Sequence, residues 1–197
     1  AEVCRCLTGA PKVVGIEVNA SCPHVKSGGG EFGQDPAILA QLIRAVRRAT
    51  SLPLLVKLSP NVTDIAEMAR VCEGEGADGI SAINTLKALV VDVETRRPSL
   101  SNGLGGLSGP AIRPVALRMV WQCAQAVQIP ICGVGGISTG EDAVQFLLCG
   151  AAAVQVGTAN FLDPMAAAEV AVGLAIIIAI YRYFKTIDAT KIDLMKW

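Results

Sequence analysis

The sequence predicts an α/β fold in which helices cover a parallel sheet, and three observations carry that expectation. Five short runs rich in Val, Ile and Leu fall at 13–19, 53–58, 79–84, 129–134 and 152–157. A longer stretch of helical character separates them at 35–50, 63–76, 111–126 and 140–149. The 197-residue chain is 52% hydrophobic and 17% charged, which gives one domain a real core and excludes a disordered chain. Strand–helix alternation with apolar strands means parallel pairing through right-handed crossovers. Five such strands fit an open doubly wound sheet or part of an eight-stranded barrel, and the pattern alone leaves both open.

The elements follow from local chemistry. In 13–19, Val14, Ile16 and Val18 share the face expected to meet helices, while Gly15, Glu17 and Asn19 share the other. The helix at 35–50 opens with Asp35 as N-cap and Pro36 at its first position. In 53–58, Leu54, Val56 and Leu58 share a face and Lys57 lies opposite. The helix at 63–76 begins at a Thr/Asp cap and ends at glycines. The segment 86–106 has a polar centre with glycines beyond it, and reads as a hairpin-like insertion between the third strand and its helix. No linker, repeat or low-complexity tract divides the chain, so 1–197 reads as one domain, with an apolar helical region at 165–197.

Composition excludes several classes. Seventeen basic residues balance seventeen acidic ones and aromatics are only 4%, so neither charge nor base stacking favours nucleic acid. The seven cysteines include no CxxC, and one histidine cannot support the usual zinc spacings. No metal site is expected. Apart from Cys22, the cysteines read as small core residues of a reduced, cytoplasmic protein. The start "AEVCRCLTGAPK" lacks a signal-peptide pattern. The apolar segment 170–181 is shorter than the roughly 20 residues a membrane span needs, so a buried or partner-covered helix is expected there.

Residues able to carry chemistry gather where strands end, the ligand side of both parallel architectures. Lys57 sits in an apolar run and must find a counter-charge, a polar ligand or solvent. Asn84 and Thr85 offer an amide and a hydroxyl at the same rim, for a ligand or for a turn. Three glycine-bearing turns follow, "GLGGLSG" (103–109), "GVGGIST" (133–139) and "VGTANF" (156–161). Glycine permits close backbone approach, and successive strands ending in such turns resemble the phosphate site of barrels. The spacing matches neither GxGxxG nor a P-loop. In "NASCPHVKSGGGEFG" (19–33), Cys22 is a candidate nucleophile or base, with His24, the only histidine, beside it.

Together, "NASCPHVKSGGGEFGQDP", "PLLVKLSPNVTDI", "GADGISAINTL", "GGLSGPAIRPVAL", "GVGGISTGEDA" and "VQVGTANF" resemble the dihydroorotate dehydrogenases, over about residues 13–164. "VKSGGGEFG" and "KLSPNVTDI" look most like the NAD-linked class (1B), whose catalytic subunit works with an iron–sulfur flavoprotein. The resemblance implies a (β/α)8 TIM barrel, with only about strands 4–8 in this chain, and FMN at its rim. It implies Cys22 as general base, Lys57 at the flavin's pyrimidine edge, and Asn19, His24, Asn84 and Thr85 around dihydroorotate or orotate. Gly106, Ser108 and Gly109 would line the flavin. Gly135, Gly136, Gly157 and Thr158 would hold its phosphate. A homodimer with a subunit carrying FAD and a 2Fe-2S cluster is implied too.

Two alternatives accompany this reading. The family usually has SCPN where this chain has SCPH, the form common in dihydropyrimidine dehydrogenases, which reduce uracil and thymine. Five strands cannot close an eight-stranded barrel, so an inactive fragment serving as an interaction module is the other. The sequence beyond residue 170 does not look like the family's C-terminal region.

Overall fold

The computed structural model describes residues 1–21 and 33–184. Five parallel strands form the central sheet: β1 (Ile16–Asn19), β2 (Leu54–Leu58), β3 (Gly79–Ala82), β8 (Ile131–Val134) and β9 (Ala153–Gln155). Between β3 and β8 lie four short strands, β4 (Leu86–Ala88), β5 (Val91–Asp92), β6 (Arg97–Pro98) and β7 (Gly105–Leu107). The helices are α1 (Glu2–Thr8), α2 (Pro36–Arg47), α3 (Ile65–Gly74), α4 (Arg113–Ala126), α5 (Gly140–Leu148), α6 (Ala159–Leu162) and α7 (Ala166–Phe184).

The strands are ordered β1-β2-β3-β8-β9, each beside its sequence neighbour in the sheet. A doubly wound sheet reverses its order at a switch point, and no reversal occurs here. The sheet also curls. Glu17 on β1 accepts hydrogen bonds at Oε2 from Ser81 Oγ on β3 (2.5 Å) and from Gln155 Nε2 on β9 (2.8 Å). Strands at the two edges of the sheet thus meet through side chains across its concave face, which is barrel curvature.

Register separates the two faces. Asn19 pairs with Lys57, Lys57 with Ser81, and Ser81 with Cys132. These four side chains therefore stand level on the concave side. Leu54, Val56, Leu58, Ile80 and Ile131 point the other way and are buried beneath the helices. The alternation read in 53–58, and in 16–19 of the first strand, is that of a sheet with one face under helices and one face bearing polar groups; Val14, expected on the helix-covered face, precedes the ladder and is 82% exposed.

Caps explain where helices begin. Asp35 accepts from the N–H groups of Ala37 and Ile38, and Asp64 from those of Ala66 and Glu67. Helix α2 ends where Arg47 donates to Asp78 and to the carbonyls of Thr50 and Leu52. That cluster fastens the end of the barrel opposite the site.

Several boundaries differ from expectation. The strand expected over 13–19 begins at Ile16, because residues 13–15 precede the ladder with β2. The strand expected over 79–84 ends at Ala82, leaving Asn84 and Thr85 on the connecting loop. A 3-10 turn, Pro110–Ile112, precedes α4. Helix α1 was not anticipated; it docks through buried Cys4, and its Thr8 hydroxyl lies 2.6 Å from that of Thr50. The segment 86–107 folds as two small antiparallel ladders, β4 with β7 and β5 with β6, and exposes Leu89, Val90, Val91 and Val93.

Helix α7 packs on α5 through Ala166, Val170 and Gly173. A Cβ on Gly140 would stand 2.6 Å from the Gly173 carbonyl carbon, so the two backbones touch without intervening side chains. Val172, Ile176 and Ile178 face outward. No helix among the described residues is long and apolar enough to cross a membrane.

The cysteines divide. Cys4, Cys72 and Cys123 are core residues, but Cys6 is exposed, contrary to the expectation of a buried thiol, because it lies on the outer side of α1. Burial pushes the Cys72 and Cys123 thiols up to about 12, with a smaller contribution from Cys123 on the first and from Asp64 on the second. Alkylation of the native protein at about pH 8 should therefore modify Cys6 and spare Cys72 and Cys123 until denaturant is added. Peptide mass spectrometry reads the result; equal labelling of all three would contradict the packing.

Candidate functional site

Parallel strands deliver their C-terminal ends to one rim, and a cleft of about 680 Å³, counting its open mouth, lies there. One wall carries Lys57, Asn84 and Thr85; the other carries Gly135, Gly136, Gly157 and Thr158. Ser108 and Gly109 close a third side.

Lys57 is half-buried at the end of β2 and makes no hydrogen bond or ion pair among the described residues. Of the outcomes expected for a lysine in that run, a protein counter-charge is not found in this part of the chain. Its ammonium stands on the cleft wall, where a polar or anionic ligand would meet it.

Beside it, Asn19 Oδ1 accepts from Asn84 Nδ2 (2.9 Å) and from the Ser21 hydroxyl (3.0 Å). Asn84 also donates to Ser21 Oγ, and its Oδ1 accepts from the Thr85 N–H at 2.8 Å. Asn19 and Asn84, 65 residues apart in sequence, thus form one amide pair at the ends of β1 and β3. Asn19 is not on the cleft wall itself. Gly106 also stands outside the lining, in the β4–β7 ladder, where its missing Cβ leaves room for the Thr85 side chain. Cys22 and His24 lie outside the described residues.

The glycine turns are shaped by steric demand. Gly136 has φ of +75°, and a Cβ there would stand 2.6 Å from the Gly109 carbonyl oxygen. Only glycine lets the turn after β8 press against the turn before α4. A Cβ on Gly157, by contrast, would meet nothing within 4 Å. The N–H groups of Gly136, Gly157 and Thr158 have no hydrogen-bond acceptor among the described residues. Unpartnered N–H groups at glycine turns are donors of the kind that can hold an anion.

Three contributors were not singled out from sequence. Asn61 donates to Ser59 Oγ and the Thr85 carbonyl and accepts from the Lys87 N–H, so it pins the loop bearing Thr85. Asp142, buried at the start of α5, accepts at Oδ2 from Ser138 N–H, Ser138 Oγ and Thr139 N–H, each at 3.0 Å, and at Oδ1 from Arg113. Burial raises the Asp142 carboxyl, but the Ser138 hydrogen bonds, the Arg113 charge and the Thr139 N–H together outweigh it. They hold its pKa below the ordinary aspartate value. The Thr139-x-x-Asp142 spacing is a capping box and was readable as such. The link to Arg113 was not readable.

A family model described as dihydroorotate dehydrogenase matches residues 1–178. The chain belongs to the dihydroorotate dehydrogenase family. It is 58% identical over 174 residues to the catalytic subunit of dihydroorotate dehydrogenase B (NAD(+)) from Trichlorobacter lovleyi. It is 57% identical over 173 residues to the subunit of the same name from Geotalea daltonii. Each match covers 88% of this chain and 57% of the relative, so the chain spans a little over half the length of these curated proteins. A crystal structure of DHODH from Eimeria tenella with ferulenol superposes with a TM-score of 0.69 at 26% identity, covering 89% of this chain and 53% of that one. The sequential sheet and its helices are thus part of the (β/α)8 barrel of dihydroorotate dehydrogenases, which settles the choice left open between barrel and doubly wound sheet.

Substituting Gly136→Ala should cost about 1–3 kcal/mol of stability, from overpacking against Gly109 and loss of the positive-φ turn. Urea unfolding checks this. Gly9→Ala, where a Cβ meets nothing within 4 Å, is the control expected to change little.

Proposed function

We propose that this chain provides the flavin and substrate site of an NAD-linked dihydroorotate dehydrogenase, which oxidises dihydroorotate to orotate in pyrimidine synthesis. One observation carries the reading: a single cleft joins the Lys57 ammonium and the Asn84 amide, itself bonded to Asn19, to backbone N–H groups of the glycine turns, and neither the ammonium nor those N–H groups has a partner among the described residues. That is the donor set a flavin mononucleotide asks for, a cation for its electron-rich pyrimidine edge and N–H groups for its phosphate. Among the described residues nothing lies within 4 Å of where a Gly157 Cβ would stand.

FMN, when bound, supplies the acceptor for the hydride that leaves C6 of dihydroorotate. The chain's own residues do the rest. Cys22 Sγ, as thiolate, takes the proton from C5, and the C5–C6 double bond of orotate forms from the C–H electron pair left behind. Lys57 stabilises the negative charge that develops on the flavin side of the cleft. Asn19, Asn84 and Thr85 orient the substrate's polar edge, with His24 near it. Ser108 and Gly109 would flank the flavin, with Gly106 acting on it only through Thr85, and Gly135, Gly136, Gly157 and Thr158 would hold its phosphate.

The relatives' names call them catalytic subunits, so a homodimer with an electron-transfer partner carrying FAD and a 2Fe-2S cluster belongs to the proposal. The free thiols suit a reducing, cytoplasmic setting.

A second reading, a reductase of uracil or thymine, is favoured only by His24 in "SCPH". The full chain should purify with FMN, and anaerobic dihydroorotate should bleach it. Cys22→Ser should slow that bleaching by about 10²-fold or more at neutral pH. Orotate should shift the flavin spectrum; a shift by uracil alone would favour the second reading. A chain that binds no flavin would sink both.

A further inference from the structure

Arg113 and Asp142 touch neither the amide pair nor Lys57, yet they join two glycine-bearing turns that abut at the end of the cleft where the flavin reading puts the phosphate. Arg113 opens α4, one 3-10 turn (Pro110–Ile112) after Ser108 and Gly109. Asp142 sits in the first turn of α5, directly after the turn holding Gly135 and Gly136. The guanidinium donates to Asp142 Oδ1, while Oδ2 takes two bonds from Ser138 and one from Thr139. A carboxylate has about four acceptor sites, so this one is saturated. The side chain of Asp142 is 6% exposed and that of Arg113 30%. Behind the pair, the two turns are already in contact, with a Cβ on Gly136 placed 3.1 Å from Arg113 Cβ.

We infer that Arg113 and Asp142 act as a positioning pair that sets the glycine turns for a phosphate and so makes the site select phosphorylated over unphosphorylated flavin. The inference rests on the flavin reading above and deepens it. Two electrostatic effects oppose each other here. A carboxylate near an anion site repels the anion, so its removal alone would tighten binding. The same carboxylate orients Ser138 and Thr139 and neutralises Arg113, which leaves the phosphate to the backbone N–H groups of Gly136, Gly157 and Thr158. Those groups bind well only if the turn that bears Gly136 keeps its place. Positioning outweighs repulsion, because three of the four bonds to Asp142 come from the turn itself.

The test compares FMN with riboflavin, which has the same ring system and no phosphate, by flavin fluorescence titration of the full chain. Asp142→Asn should weaken FMN binding about tenfold, the size expected for losing hydrogen bonds to a charged group, and riboflavin binding little. Arg113→Lys, which leaves the Asp142 cap intact, should act in the same direction, and the double variant should be no worse than Asp142→Asn alone. It also serves if Asp142→Asn does not fold. Unchanged or tighter FMN binding in Asp142→Asn would overturn the inference, since Arg113 would then act as a direct phosphate ligand once released. Equal weakening of both flavins would overturn it too, by showing a merely structural role. Wild-type chain that binds neither flavin overturns the flavin reading itself, and this inference with it.

Discussion

Parallel pairing is the constraint from which the rest follows. Because β1, β2, β3, β8 and β9 all run the same way, every crossover returns the chain to the same starting side, and every strand end reaches the same rim. Lys57, Asn84, the turn after β8 and the turn after β9 are scattered over a hundred residues of sequence, yet they need no special device to meet. Register then refines the placement: Asn19, Lys57, Ser81 and Cys132 stand level across the sheet. The Glu17 carboxylate, held by Ser81 and Gln155, keeps the curvature that brings the two edge strands within reach.

The two ends of the cleft use different chemistry. At the Lys57 end the polar groups on the wall are side chains, an ammonium and the Asn84 amide, which Asn19 aligns. At the glycine end they are backbone N–H groups, and the side chains of Arg113 and Asp142 stand outside the lining. Such a division suits a ligand with a reacting ring at one end and a fixed anionic handle at the other. It also explains the steric economy of the turns. Where Gly136 meets Gly109 there is no room for a methyl group, whereas a Cβ on Gly157 would meet none of the described residues within 4 Å.

Much of this was legible in the sequence. Ile16–Val18 and Leu54–Val56–Leu58 announced one-sided strands, and Asp35 and Asp64 announced helix starts, because those signals act within a few residues; Val14, read onto the same face, precedes the ladder and is exposed. The glycine turns and the strand-end polar residues were legible for the same reason. What escaped needed long-range geometry. Asn61 reads as an ordinary turn residue until its bonds to Thr85 and Lys87 are known. Arg113 and Asp142 are 29 residues apart, and nothing local pairs them. Helix α1 has only a weak apolar stripe, and strand ends were overestimated at 13–15 and 83–84 because apolar residues continue past the last ladder partner.

The bare contact between Gly140 and Gly173 gives the C-terminal helix a mechanical standing in the molecule. Side chains at a helix crossing act as a cushion, since rotamers absorb small shifts. Here no cushion exists. Gly140 begins α5 and lies two residues before Asp142, so a shift of α7 is passed stiffly to the turn that carries Ser138 and Thr139. Seating α7 and shaping the turn after β8 are therefore one geometric requirement, met at a single point of the backbone.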